Sequence, residues 1–223
     1  MHKKFFYKSL LLWLLLTTST GLFAQQSPFW DEITAFKEQD SISFPPRNVI
    51  LFTGSSSFRM WKDVQDYFPG HTIINRAFGG STLPDVIRYA SDIILPYHPR
   101  QVVIYCGDND LASSDTVTAQ TVVQRFQQLF SIIRQGLPKA SIAYVSIKPS
   151  PSRINLMPKM EEANEGIKRF LKKKKRTAFI DVYHPMLTPA GEPMEDLFLE
   201  DKLHMNAKGY AIWQKAILPY LRK

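Results

Sequence analysis

Strand-length apolar runs alternate along this chain with longer stretches of helical period. The runs fall at 48–53, 72–75, 101–106, 141–147 and 178–182. Residues 49–52, 102–105 and 142–147 are nearly all apolar and rich in Val and Ile. A run with no polar alternation marks a strand covered on both faces, as in the parallel sheets of α/β proteins. Between the runs, helices are predicted over 58–68, 84–95, 117–135, 158–174 and 206–220. In the third, Val122, Phe126, Leu129, Ile133 and Leu137 recur every three or four positions and make one apolar face. A further helix is predicted over 29–41, packed on the outside as a leader.

This alternation predicts a three-layer α/β/α sandwich around a central, mostly five-stranded parallel sheet with right-handed crossovers. In open sheets of this kind the ligand sits beyond the carboxyl ends of the strands. Ser56, Gly80 and Asn109 fall just past the first three runs, so their loops can converge at one rim. The chain has 223 residues and neither internal repeat nor long linker, which fits one domain.

The N-terminus reads differently. His2-Lys3-Lys4 and Lys8 form a basic start, 10–16 is apolar, and Gly21-Leu22-Phe23-Ala24 supplies small residues for cleavage. The apolar run is too short to cross a bilayer, so residues 1–24 are expected to be a secretory signal peptide and 25–223 the working domain. An uncleaved N-terminal anchor is the alternative. Cleavage implies a periplasmic or secreted protein with no stable membrane span. Loss of Lys3, Lys4 and Lys8 lowers the formal charge from +8 to +5. The remaining excess includes 172–176, four lysines and an arginine at the end of a predicted helix, where cations complement the helix dipole. The run has no aromatic interleaving, so a solvated helix end is expected and a nucleic-acid partner is not. Cys106 is the only cysteine and closes an apolar run, so it is read as a buried thiol rather than a nucleophile. Asp108 and Asp110 lack further ligands nearby, and zinc-type Cys/His spacing is absent; no metal or other cofactor is expected.

Four short stretches carry candidate chemistry. Gly54-Ser55-Ser56-Ser57 turns from a strand into a helix, where a serine serves either as a nucleophile or as an N-cap. Gly79-Gly80 permits close backbone approach, either as a flexible turn or to aim an amide at a substrate oxygen. Asn109, between two aspartates, forms an Asx-turn or offers an uncharged side-chain donor. Asp201 and His204 are three apart, so the carboxylate can reach Nδ1 and leave Nε2 free as a base. His71 follows Pro69-Gly70, His98 precedes Pro99 and His184 precedes Pro185; a carboxylate three residues upstream is expected to serve His204 alone. Arg59 and Arg76 flank the first two stretches and either meet an anionic substrate or brace the site by pairing with Asp108 or Asp110.

In this order and spacing the four stretches resemble the blocks of the SGNH (GDSL-type) hydrolase superfamily, over about 48–220. The first block usually reads Gly-Asp-Ser; here Ser55 holds the middle place. The resemblance implies a flavodoxin-like hydrolase fold and the triad Ser56, Asp201 and His204. It implies an oxyanion hole of the amides of Ser56 and Gly80 with the side chain of Asn109. Gly-Ser-Ser-Ser followed by Arg59 and Trp61, with Ser146-Ile147-Lys148-Pro149-Ser150, is most similar to exported bacterial acylhydrolases related to platelet-activating-factor acetylhydrolase. The implied activity is ester hydrolysis through an acyl-enzyme, on a small-molecule or glycan ester; short loops and the lack of a lid-like apolar insertion in the sequence favour short acyl groups, acetyl first. An acyltransferase to a sugar hydroxyl and a non-catalytic glycan-binding protein are the alternatives. Oligomeric state is not legible.

Overall fold

The computed structural model describes residues 27–223, and the expected signal peptide at 1–24 lies outside them. Five parallel strands, β1 (Ile50–Gly54), β2 (Ile73–Asn75), β3 (Gln101–Tyr105), β4 (Ser141–Val145) and β5 (Thr177–Ile180), form one sheet in the order β2-β1-β3-β4-β5. This is the predicted sandwich. β1 lies against both β2 and β3, so the loops after all three strands open at one edge.

Strand side chains alternate between two cores. Leu51, Val102, Ile104, Ile142 and Tyr144 pack on one face with α1 (Trp30–Ile42), α4 (Leu83–Arg88), α5 (Ala90–Ile93), α7 (Ala119–Gly136) and α8 (Met157–Lys172). Ile50, Phe52, Val103, Tyr105, Ala143 and Val145 pack on the other with α2 (Ser56–Arg59), α3 (Val64–Tyr67) and α9 (Ala207–Ile217). Burial on both sides is why the strands read as unbroken apolar runs. In α7 the predicted stripe of Val122, Phe126, Leu129 and Ile133 is fully buried. A short α6 (Asp108–Ala112) follows β3.

Two predicted helices are broken. The 58–68 segment becomes α2 and α3, joined by a turn that keeps Phe58, Trp61, Val64 and Phe68 in one core. The 84–95 segment splits at Tyr89 and ends before the single 3-10 turn Leu95–Tyr97, where Pro96 has no N–H to continue an α-helix. The cationic run at 172–176 is exposed throughout, as a solvated helix end should be. No helix among the described residues is long and apolar enough to cross a membrane.

Candidate active site

The turn from β1 into α2 is built for one residue type at its pivot. Gly54 has φ +126, and a Cβ there would lie 1.9 Å from the carbonyl oxygen of Tyr105. Only glycine lets β1 run this close to β3 and then turn. The amide of Ser55 donates to the same carbonyl at 2.9 Å, which leaves Ser56 as the first residue of α2, half-buried at the rim. Ser55 occupies the N-cap position but makes no side-chain cap hydrogen bond, so capping does not account for this serine run. Below it, Phe58 packs edge-on to Trp213 at 5.6 Å, and Trp61 stacks on Tyr210 at 4.8 Å. Aromatic pairs of this kind add about 0.5–1.5 kcal/mol each beyond area burial. The Tyr210 hydroxyl donates to the Ser57 carbonyl at 2.9 Å. These contacts fix α2 against α9, and with it the loop that precedes α9.

That loop carries the histidine. Asn206 caps α9 by accepting from the amides of Lys208 at 2.9 Å and Gly209 at 3.3 Å. Its Nδ2 donates to the carbonyls of Asp196 at 2.8 Å and Phe198 at 3.1 Å, and the Leu199 amide donates to the His204 carbonyl at 2.8 Å. Thus held, His204 places Nδ1 2.5 Å from Asp201 Oδ2 and Nε2 2.9 Å from Ser56 Oγ. The amides of Leu203 and His204 also donate to Asp201 Oδ1, both at 2.9 Å. Burial pushes the Asp201 carboxyl up, but the His204 ring and these two amides outweigh it and hold it down to about 2. An ionised carboxylate only accepts, so the ring proton sits on Nδ1 and Nε2 accepts the Ser56 hydroxyl proton.

Oxyanion candidates gather beside Ser56. The amides of Ser56 and Gly80 have no acceptor among the described residues, whereas Gly79 donates to Glu32 Oε2 at 3.2 Å. That leaves Gly80, not Gly79, as the free amide. A Cβ at Gly80 would lie 3.7 Å from Asn109 Nδ2, which puts the two donors side by side. Asn109 Nδ2 donates to Ser55 Oγ at 2.6 Å and to the Ser81 carbonyl at 3.2 Å, and Asn109 Oδ1 accepts from Arg153 Nη2 at 2.8 Å. Ser56, Gly80, Asn109, Asp201 and His204 therefore meet at one rim of the sheet.

Three expectations need correction. Asp181 stands three residues before His184, and its Oδ2 lies 2.7 Å from His184 Nδ1, so the Asp-x-x-His spacing is not special to His204. His184 follows the edge strand β5, which two strands separate from β1, and its side chain is 61% exposed. Arg59 and Arg76 do not pair with Asp108 or Asp110. Arg59 Nε meets Glu32 Oε2 at 2.5 Å, and Arg76 Nη2 meets Asp40 Oδ1 at 2.5 Å while its Nε donates to the Tyr97 hydroxyl at 2.8 Å. Both carboxylates come from α1, so the leader helix, packed on the outside as expected, also braces the segment that carries Gly79 and Gly80. Asp108 is ringed instead by the Tyr105 hydroxyl at 3.1 Å, Arg153 Nη1 at 3.1 Å and Lys148 Nζ at 3.8 Å. Asp110 accepts from the Leu83 amide at 2.9 Å and Arg125 at 2.8 Å; burial raises its carboxyl in spite of them.

Arg153 and Lys148 are thus site neighbours that the sequence pattern did not single out, although Lys148 lies inside the 146–150 motif. Cys106 is buried, its Sγ facing the Ser81 carbonyl at 3.5 Å, and burial pushes the thiol well up. Among the described residues, no group of three or more His, Cys, Asp and Glu side chains is placed to hold a metal ion. A hydroxyl bonded to a carboxylate-oriented imidazole, beside free N–H donors, is the arrangement that acyl transfer requires.

Residues 34–212 match the GDSL-like Lipase/Acylhydrolase family. No functionally curated relative matches the sequence. Among solved structures, a candidate platelet activating factor from Streptococcus pneumonia is 20% identical, with a TM-score of 0.75 over 86% of this chain and 92% of that one. A candidate acylhydrolase from Bacteroides fragilis is 18% identical, with a TM-score of 0.74 over 85% of this chain and 95% of that one. A mutant of Axe2, an acetyl-xylooligosaccharide esterase from Geobacillus Stearmophilus, is 16% identical, with a TM-score of 0.60 over 78% of this chain and 93% of that one. At such identities the likeness is one of fold.

Proposed function

The chain belongs to the GDSL-like lipase/acylhydrolase family, whose members hydrolyse esters, and from that premise we propose that it is a serine esterase with Ser56 as its nucleophile. The observation that carries this reading is the 2.9 Å contact between Ser56 Oγ and His204 Nε2. As Ser56 Oγ attacks the ester carbonyl, Nε2 takes its proton, and Asp201 stabilises the imidazolium through Nδ1. The carbonyl oxygen becomes an oxyanion that accepts from the amides of Ser56 and Gly80 and from Asn109 Nδ2. An arriving oxyanion draws an Asn109 hydrogen away from Ser81, the longer of its two contacts. Loss of one such donor costs about 2.7–4 kcal/mol of barrier. Collapse of the tetrahedral intermediate breaks the ester C–O bond, and His204 returns its proton to the leaving alkoxide. Water, deprotonated by His204, then attacks the acyl-enzyme and releases the acid.

The acyl group is proposed to be short, acetyl first. Among the described residues the site lies on short loops without an apolar lid, and a protein of the same fold is an acetyl-xylooligosaccharide esterase. An acetylated glycan suits a chain whose residues 1–24 we propose to be a cleaved export signal. The test is a series of p-nitrophenyl esters from acetate to octanoate, with and without acceptor sugars. Turnover is expected to fall with chain length and to release free acid whether or not sugar is present. Acyl transfer to the added sugar identifies a transferase, and no turnover of any ester leaves a binding protein.

A further inference from the structure

We propose that Arg153 is a positioning residue for the oxyanion donor Asn109, fixing which end of its amide faces the reacting carbonyl. The inference rests on the reading of Ser56 and Asn109 given above. An Asn amide has two ends of nearly equal shape and opposite polarity. Turned the wrong way, Oδ1 would face the developing oxyanion and repel it. A guanidinium has donors only, so Arg153 Nη2, 2.8 Å away, can donate to Oδ1 but makes no bond with the NH2 end of the amide.

The other contacts of the amide cannot do this alone during reaction. Ser55 Oγ, 2.6 Å from Nδ2, either donates or accepts and so tolerates both orientations. The Ser81 carbonyl, 3.2 Å away, does favour Nδ2, but it competes with substrate for the hydrogen that the oxyanion needs. Arg153 grips the opposite end and keeps its bond while the oxyanion forms. A charged donor on Oδ1 also polarises the amide and strengthens Nδ2–H as a donor.

Arg153 is itself held. Its Nη1 lies 3.1 Å from Asp108 Oδ2, an ion pair without hydrogen-bond alignment, and its amide donates to the Ser150 carbonyl at 3.0 Å. Asp108 is buried, and its Oδ1 accepts the amide of Asn109 at 3.0 Å, so one carboxylate sets both the guanidinium and the asparagine backbone. The Ser152 amide donates to the Lys202 carbonyl at 3.1 Å, which ties this segment to the loop of His204. One short stretch therefore touches the histidine loop on one side and the asparagine on the other.

A double-substitution cycle on p-nitrophenyl acetate tests the proposal, using the wild type, Arg153→Met, Asn109→Ala and the pair. Removing a whole oxyanion donor costs about 100- to 1,000-fold in kcat, so misaiming one should cost about 10- to 100-fold in Arg153→Met, with KM held within about threefold. Arg153→Lys keeps one donor and should recover part of the loss. In the Asn109→Ala background, adding Arg153→Met should change kcat by less than about threefold, because the amide it aims is gone. Equal losses in both backgrounds, or an unchanged kcat in Arg153→Met, would overturn the proposal. If Arg153→Met does not fold, by circular dichroism, Arg153→Ala, which also removes every donor, runs the same cycle under the same criteria. Ser56→Ala separates the two levels. An active Ser56→Ala defeats the esterase reading itself, whereas an inactive one with an additive cycle defeats only the role of Arg153.

Discussion

The side-chain amide of Asn109 rests 2.6 Å from the hydroxyl of Ser55, the fully buried residue just before the proposed nucleophile. Ser55 holds the place where the resembling block usually reads Asp, and its hydroxyl accepts from the amide and parks it beside Ser56. Ser55→Ala removes the acceptor, and at about 1 kcal/mol for an ordinary hydrogen bond kcat should fall about fivefold. Ser55→Asp restores a stronger acceptor and should stay within about threefold of wild type in kcat, at a cost in melting temperature for a buried charge. Steady-state kinetics and thermal melts of both variants check this.

Among the described residues two Asp-x-x-His pairs share one geometry, and it is His204 that reaches the hydroxyl of Ser56. Asp201→Asn should cut kcat about 10,000-fold by spoiling the tautomer that leaves Nε2 free. His184→Ala and Asp181→Asn should leave ester turnover at the wild-type level. Asp201 also makes a signed pH prediction. Its folded value is depressed from 3.8 to about 2, so its contribution to stability is complete above 3.8 and lost as pH falls through about 2. The difference in melting temperature between wild type and Asp201→Asn should therefore shrink as pH is lowered through that window.

Lys148 behaves in the opposite range. It is 1% exposed, and burial lowers its ammonium from 10.5 to about 8 even though Asp108, 3.8 Å away, pulls it upward. Between these values the unfolded chain binds more protons than the folded one, so stability gains from this group as pH rises from about 8 to 10.5. Lys148→Met removes the titration. The melting temperature of wild type minus that of Lys148→Met should increase across this window; a flat difference would show that the buried ammonium keeps its ordinary value.

Much of the architecture was legible because β1, β3 and β4 are buried on both faces and so read as unbroken runs rich in Val, Ile and other apolar residues. The helices α7, α8 and α9 were legible from their periodicity. Helix breaks were less so, since α2 and α3 present the same apolar spacing as one continuous helix. At the site, Ser56, Gly80, Asn109 and the Asp201-His204 pair were singled out by four short stretches whose order resembles the superfamily's blocks, each stretch alone leaving its role open. What escaped were pairings between distant segments: Glu32 with Arg59, Asp40 with Arg76, and Arg153 with an asparagine 44 positions earlier. Such contacts leave no spacing in the sequence. The twin at Asp181 and His184 shows the same limit, because strand order, not local spacing, decides which imidazole meets Ser56.

The most direct measurement is intact-mass and peptide mapping after treatment with diethyl p-nitrophenyl phosphate. Attack by an activated serine on phosphorus expels p-nitrophenolate and leaves a diethylphosphoryl ester on the oxygen. We expect one adduct per chain, on Ser56, with ester turnover lost in step and no adduct on Ser56→Ala. Labelling at Ser55, Ser57 or elsewhere, or full turnover in a folded Ser56→Ala protein, would contradict the account.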